Sequence, residues 1–563
     1  MVYLLKLFLM KYFKFYCVLI LAISCSTHSN AQSAKISSQS KGLITKKPKL
    51  VIGLVVDQMR WDYLYRFEGQ FGANGFKKLM NDGFNCENTI INYISSNTAA
   101  GHAAIFTGSV PAINGIIGNN WYDRIGNKNV YCSEDTTVKS VGSNTSAGLM
   151  SPRNLWTNTI TDELRLSNNF TSKVIGIALK DRGAIFPAGH TANAAYWFDD
   201  SNGKWITSNY YMDSLPSWVN GFNNKMLPSV MMSNDWNTMF PSKNYSQSSR
   251  DQAAYEESLP GEKTTTFPHK LSEIKKQAFV TFRHTPFGNT FSFDFAKSAI
   301  INEQLGKGAT TDFLTLSLSS TDYIGHDFGP NSVEIQDTYI RLDRDIAEFL
   351  NYLDKTIGRN NYLIFLTADH GASHVPDFLN EHKMEAGKVN MKLLSAELNA
   401  AVEKIYGIKK SILKIQNYQV YLNYAELDKQ SKNIDSISTA ILQLLKEKSF
   451  VQDAIDIAKM YQSVIPEPIK QLITNGYSAK RSGDIQIVFK QNYFEGEKPT
   501  GTNHGTWNPY DTHVPLLWYG WGIKKGVSYR QINLTDIAPT LAALLHIQMP
   551  NGCVGKVIEE MLD

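Results

Sequence analysis

An α/β fold, with a doubly wound and mostly parallel sheet covered by helices on both faces, is predicted by two observations. Short unbroken apolar runs end abruptly at polar residues, and amphipathic helical patterns alternate with them. Residues 50–56 make the clearest run, apolar and largely β-branched until Asp57 stops it, as expected for a strand buried on both faces. Similar runs occupy residues 174–179, 313–318, 362–367, 485–489 and 514–519. Between them, Ile335, Tyr339, Leu342, Ile346, Phe349, Leu350 and Leu353 form one apolar stripe along residues 333–353. Open sheets of this kind bind ligands beyond the carboxyl ends of their strands. Functional residues are therefore expected directly after the runs.

The chain before the first run has a different character. Residues 1–31 carry Lys6, Lys11 and Lys14 and no acid, then an apolar run over 15–23, then small and polar residues up to Ala31. This is the pattern of a cleaved secretory signal, and the run is too short to span a bilayer. The alternative is an uncleaved anchor, but no later stretch approaches the ~18 apolar residues that a span requires. A weak lipoprotein box at Ala22-Ile-Ser-Cys25 leaves a lipid-anchored form open. The expected location is periplasmic or secreted. Residues 32–49, rich in Ser and Lys, read as a linker, and residues 50–555 as a single domain. Two stretches fit the strand and helix alternation badly, about 183–302 and about 376–479. Both read as insertions that cap or wall the site.

The 563 residues are 43% hydrophobic and 19% charged, with 38 glycines and 19 prolines. Such a composition excludes wholesale disorder, a collagenous chain and a small disulfide scaffold. The lysines of residues 1–31 account for three of the four net positive charges, leaving +1. Bulk charge thus gives no reason to expect a nucleic-acid partner. Of five cysteines, Cys17 and Cys25 lie in the signal region, and Cys86, Cys132 and Cys553 cannot all pair within the chain. A Cys86 to Cys132 disulfide stays open, and no C-x-x-C motif suggests a cysteine metal site.

The strand ends carry the chemistry. Asp57 follows the first run, Ser-Ser-Thr-Asp-Tyr-Ile-Gly-His after residue 318 supplies Asp322 and His326, and Ala-Asp-His-Gly after residue 367 supplies Asp369 and His370. Taken singly, an Asp after a strand is usually a turn or cap residue, and a His a satisfied core side chain. Three aspartates and two histidines together suit Zn²⁺ or a similar divalent ion, and two such ions need about six to eight protein ligands. A further histidine is expected from Gly501-Thr-Asn-His504-Gly. His513, the other candidate, stands at a strand entry and so on the wrong end of a parallel sheet.

A nucleophile is expected in Ser95-Ser-Asn-Thr98-Ala-Ala-Gly-His102, which reads as a loop entering a helix. Thr98 at the helix N-terminus would lie where free N–H groups favour an anion. The alternative is a plain N-cap threonine, and Ser95 and Ser96 are rivals on residue type. His102, one turn on, is expected to pack behind the site. Gly118-Asn119-Asn120-Trp121 offers amide donors, and Lys180-Asp-Arg182 follows another buried run, with a merely solvated charge pair as the alternative.

These residues resemble the alkaline phosphatase superfamily, and within it the PafA-type alkaline phosphatases. The resemblance covers nearly the whole chain after the signal, through Val55-Val-Asp-Gln-Met-Arg-Trp-Asp-Tyr-Leu, Ser151-Pro-Arg-Asn-Leu-Trp, Ser319-Ser-Thr-Asp-Tyr and Tyr519-Gly-Trp-Gly-Ile-Lys. It implies that Asp322, His326 and His504 hold one zinc ion and Asp57, Asp369 and His370 a second, so two Zn²⁺ per chain. It also implies that Thr98 is the nucleophile and a ligand beside the second ion, forming a phosphothreonine. Asn119, rather than Asn120, matches the phosphate-binding trio with Lys180 and Arg182.

The activity so implied is hydrolysis of phosphate monoesters. Two zinc ions would roughly balance three aspartates and an alkoxide, leaving a monoester dianion to be offset by Lys180 and Arg182. The alternative within the superfamily is a phosphodiesterase or nucleotide pyrophosphatase, whose monoanionic substrates leave the Lys-x-Arg pair unexplained. The Cys/Ser-x-Pro-x-Arg motif of sulfatases does not surround Thr98. A noncatalytic zinc- or phosphate-binding protein is the alternative outside enzymes. The expected partners are small phosphate monoesters, with oligomeric state undetermined and a monomer compatible.

Overall fold

The computed structural model describes residues 47–562. The expected signal, Cys25 and most of the linker lie outside the described residues. Residues Lys47–Asp563 make one compact unit.

Ten strands form the central sheet: β1 (Leu50–Val56), β2 (Phe84–Cys86), β3 (Ser140–Val141), β4 (Val174–Ala178), β5 (Ala194–Asp199), β6 (Lys204–Ser208), β7 (Asp312–Leu318), β8 (Tyr362–Thr367), β9 (Leu516–Gly520) and β10 (Gly526–Ser528). Their order is β10-β2-β9-β8-β1-β7-β4-β5-β6-β3. β1 pairs in parallel with β7, Leu50 opposite Asp312 through Val56 opposite Leu318, and with β8 on its other side. β4 and β5 extend this parallel block. Every residue of β1, β7 and β8 is buried; β1 and β8 are accordingly almost wholly apolar, whereas β7 buries Thr315 and Ser317 as well. Helices α1 (Thr98–Thr107) and α2 (Asp181–Ala188) pack together with Ile537–Leu545, while α3 (Phe287–Asn302), α4 (Ser320–Phe328) and α5 (Val333–Thr356) form a second group. The two groups cover the sheet.

Three expectations need correction, and the cysteine pairing left open is decided. The run at 514–519 is broken after Val514: His513–Val514 pairs with Thr89–Ile90, whereas β9 runs antiparallel to β8. Apolarity records burial, not strand direction. Residues 485–489 belong to a separate four-stranded sheet with Ile412–Gln416, Gln419–Leu422 and Val451–Asp456, which shares a second core with the helices Met391–Tyr406 and Ile434–Lys446. The stretch 183–302 is only partly an insertion, because it supplies β5, β6 and α3. Its aromatic richness is core: Trp205 stacks on Phe291 and Phe295 at 5.0 and 4.5 Å between ring centres. Finally, Cys86 and Cys132 are buried free thiols in different core clusters.

Among the contacts between the small sheet's surroundings and the loops around Trp121 and Trp156 is that of Arg481, four residues before Ile485. The Arg481 guanidinium lies between the indoles of Trp121 and Trp156, 4.4 and 4.2 Å from the ring centres, and donates to the carbonyls of Gly115 and Asn154 at 2.6 and 2.9 Å. Among the described residues no helix is long and apolar enough to cross a membrane.

Candidate active site

The carboxyl ends of three neighbouring strands converge on one pocket of carboxylates and imidazoles. Asp57 follows β1, Asp369 and His370 follow β8, and Asp322 and His326 face the same way one turn apart on α4, which starts directly after β7. Two groups result, Asp322 with His326 and His504, and Asp57 with Asp369 and His370; the ligand-type atoms of each lie within 4.8 Å of one another. In the first, His326 Nε2 is 3.2 Å and His504 Nε2 3.8 Å from Asp322 Oδ1. In the second, His370 Nε2 is 3.6 Å from Asp57 Oδ1 and 3.5 Å from Asp369 Oδ2. The groups adjoin, since the rings of His370 and His504 stack with centres 3.5 Å apart.

All three imidazoles turn Nδ1 to a backbone carbonyl: His326 to Thr502 at 3.0 Å, His370 to Gly371 at 2.9 Å and His504 to Ser96 at 2.8 Å. A carbonyl only accepts, so each Nδ1 carries a proton and each Nε2 is aimed at a carboxylate. On a neutral ring that Nε2 is a lone pair, which a carboxylate repels unless a proton or a metal cation lies between them. Asp57 Oδ1 is also buried with no hydrogen-bond partner, a cost of about 1–3 kcal/mol or more for such a group, while Asp57 Oδ2 meets only Lys180 and Asp369 Oδ2 only the imidazoles of His102 and His370. Oxygen and imidazole donors left open in this way fit two divalent ions.

Electrostatics point the same way. Burial, with the repulsion of Asp369, pushes the Asp57 carboxyl well up despite Lys180. Burial acts on Asp322 too, but Lys180 and His326 outweigh it and hold that carboxyl well below the usual range. Burial and the neighbouring His370 and His326 keep His504 neutral, its pKa well down.

Thr98 is the first residue of α1. Asn97 occupies the N-cap position, with no side-chain capping bond, so the plain N-cap alternative for Thr98 does not hold. The Thr98 hydroxyl is buried, 3.4 Å from His370 Nε2 and 3.5 Å from Lys180 Nζ. The rivals turn away: the Ser95 hydroxyl donates to the Gly505 carbonyl and the Ser96 hydroxyl to that of Thr506. His102 packs behind, Nδ1 2.8 Å from the Thr98 carbonyl and Nε2 2.8 Å from Ser317 Oγ. Asn119 Oδ1 accepts from the Ala99 N–H at 3.0 Å, beside Thr98, whereas Asn120 is exposed. Lys180 Nζ bridges Asp57 at 2.7 Å and Asp322 at 2.5 Å. Arg182 is not brought against the carboxylates; its guanidinium donates to Tyr131 Oη at 2.9 Å.

His513 stays outside, its Nε2 2.9 Å from the Glu87 carbonyl and its ring stacked on Trp61. The reason expected for its exclusion was wrong. β9 is antiparallel, so its entry lies at the functional end of β8, and it is the local contacts that hold His513 away. Gln58 was missed. Its N–H donates to Asp369 Oδ1 and its side-chain amide to Asp322 Oδ1, a role that no motif signals beyond its place next to Asp57.

The family model for type I phosphodiesterases and nucleotide pyrophosphatases matches residues 51–513. The chain belongs to this family, within the alkaline phosphatase superfamily. Alkaline phosphatase PhoV of Synechococcus elongatus is 48% identical over 551 residues, covering 98% of this chain and 99% of that protein. A Myroides odoratus protein named calcium-transporting ATPase is 49% identical over 522 residues, 92% of this chain and 95% of the other. Alkaline phosphatase PafA of Elizabethkingia meningoseptica is 49% identical over 521 residues, again 92% and 95%. A crystal structure of wild-type PafA matches with a TM-score of 0.90 at 49% identity, over 92% of this chain and 99% of that one. Membership of the superfamily accords with the fold, a parallel block with the site at its carboxyl edge.

Proposed function

We propose that the protein is an exported alkaline phosphatase that hydrolyses phosphate monoesters through a phosphothreonine on Thr98, with zinc in both cation groups. The observation that carries this is the Thr98 hydroxyl, buried at the N-terminus of α1 and within 3.5 Å of both His370 and Lys180. The names of the PhoV and PafA relatives support the same activity. They favour it over the phosphodiesterase alternative.

Asp322, His326 and His504 would hold one zinc ion, and Asp57, Asp369 and His370 the other, beside Thr98. Zinc bound there would supply positive charge and make a nearby hydroxyl more acidic. The Thr98 oxygen attacks phosphorus in line, the ester bond to the leaving alcohol breaks, and phosphate is carried on Thr98. Water then cleaves the phosphothreonine and releases inorganic phosphate. The positive end of the α1 dipole would face negative charge throughout. With Asn119 Oδ1 engaged by Ala99, its NH₂ is the end left to donate to a phosphate oxygen. Lys180 and Arg182 offset the second charge of a monoester dianion. Residues 50–555 are read as the catalytic domain, and the parts of 183–302 and 376–479 outside the main sheet as its walls. Export to the periplasm or medium rests on residues 1–31.

The test is steady-state hydrolysis of a matched monoester and diester, with metal content measured, for wild type and Thr98→Ala. Loss of at least about 10³-fold in kcat with two zinc ions retained is expected for the variant. Undiminished turnover by Thr98→Ala would overturn the nucleophile. No turnover by the zinc-loaded wild type would leave the noncatalytic binding protein.

A further inference from the structure

Gln58 sits in a conformation that its residue type does not favour. It follows Asp57 at the carboxyl end of β1 with φ at 64°, a left-handed region that costs a side chain of this kind about 1–3 kcal/mol. It is 3% exposed. Its two donors run to different cation groups. The backbone N–H reaches Asp369 Oδ1 at 3.1 Å, and Nε2 reaches Asp322 Oδ1 at 2.9 Å. Asp369 Oδ1 accepts a second N–H, that of His370, at 3.1 Å. One oxygen of Asp369 is thereby engaged by two N–H donors, and the other, Oδ2, is turned to the imidazoles, 3.3 Å from His102 Nδ1 and 3.5 Å from His370 Nε2.

Helix α4 makes room for this residue at one point. Gly325 lies between Asp322 and His326, and a Cβ there would overlap Gln58 Oε1. Glycine inside a helix costs about 1 kcal/mol relative to alanine. α4 therefore carries its weakest helix former where the Gln58 amide packs against it.

We propose that Gln58 is a positioning residue that holds one carboxylate in each cation group by a separate donor, Asp369 by its main-chain N–H and Asp322 by its side-chain amide. It touches neither substrate nor reacting atoms. This rests on the two-cation reading of the site. The strained turn fits the role: one residue has to offer its main-chain N–H to one carboxylate and its side-chain amide to another.

The experiment is zinc competition against a chromogenic chelator, on the full chain stripped of metal and reloaded, for wild type, Gln58→Gly, Gly325→Ala and the double variant. Gln58→Gly keeps the N–H to Asp369 and relieves the backbone, so its metal-free form is expected to melt no lower than wild type. One of its two zinc affinities is expected to fall about 10–100-fold, as for other residues that orient metal ligands, the other being unchanged. Its kcat should return toward wild type at saturating zinc. Gly325→Ala, which favours the helix, should show the same selective loss, and the double variant no more than either single one. Two unchanged zinc affinities in Gln58→Gly, or equal losses at both, would overturn the role of Gln58. A wild type binding fewer than two zinc ions would overturn the two-cation reading itself, and this proposal with it.

Discussion

Lys180 concentrates the electrostatic logic of the site in one side chain. Burial alone would lower its pKa, but Asp322 and Asp57, at 2.5 and 2.7 Å, outweigh that and raise it. A permanently charged ammonium 3.5 Å from the Thr98 hydroxyl suits a doubly charged substrate better than a singly charged one. Replacing Lys180 and Arg182 together by Ala should therefore cut monoester kcat/KM by about 10²–10⁴-fold, as two charge-assisted bonds at about 1.5–3 kcal/mol each imply. Diester kcat/KM should fall much less. Paired rate measurements decide it, and equal losses would favour a diesterase. The residue types here were legible because acids and imidazoles at strand ends stand out against apolar runs. Gln58 was not, because a positive φ leaves no mark on a glutamine.

At the scale of an element, α1 shows how a helix can be placed by what it lacks. All ten of its residues are buried, and they are mostly small, so the helix lies deep in the molecule. At Gly101 a Cβ would overlap the Asp369 backbone carbonyl, so only glycine lets α1 approach the segment that bears the second cation group. Gly101→Ala should leave the circular dichroism spectrum unchanged, since alanine favours a helix. It should still lower kcat by roughly 10²-fold, because displacement of Thr98 by about 1 Å is enough for that. Rates at wild-type level would show that the backbone yields there without moving the nucleophile. Strand positions were legible in the same way as burial, but direction was not. β9 reads like its parallel neighbours and runs against β8.

Across the whole molecule, residues from the first insertion are fastened to the core by a buried ionic clamp. His269 Nδ1 is 2.8 Å from Glu262, and its Nε2 is 3.3 Å from Glu334 near the start of α5. Burial would lower the imidazole pKa, but the bonds to the two glutamates outweigh it and raise it to about 9. An unfolded histidine titrates near ~6.5. The stabilisation is thus complete below about pH 6.5 and is lost as the pH rises through about 9, an effect of at most about 3 kcal/mol. Burial raises the pKa of the Glu334 carboxyl, and His269 opposes that shift, so the two titrate as one coupled unit. Thermal melting of the zinc-loaded protein should show wild type losing Tm from about pH 7 to about pH 10. His269→Gln should start lower and lose less over that interval. Equal slopes would rule the clamp out.

By itself the sequence determined which segments are buried on both faces, where they stop, and which side chains stand at those stops. These follow from local composition, because a mainly apolar run has to leave water and a polar or charged stretch near its end returns to it. Only the tertiary structure decided that residues 485–489 build a second core, that part of 183–302 belongs to the main sheet, and that Cys86 and Cys132 lie apart. It alone also brought Gln58 between Asp322 and Asp369. Strand partners, strand direction and the contacts of a single amide are set by residues hundreds of positions away, through pairing and packing energies that no local stretch of chain contains.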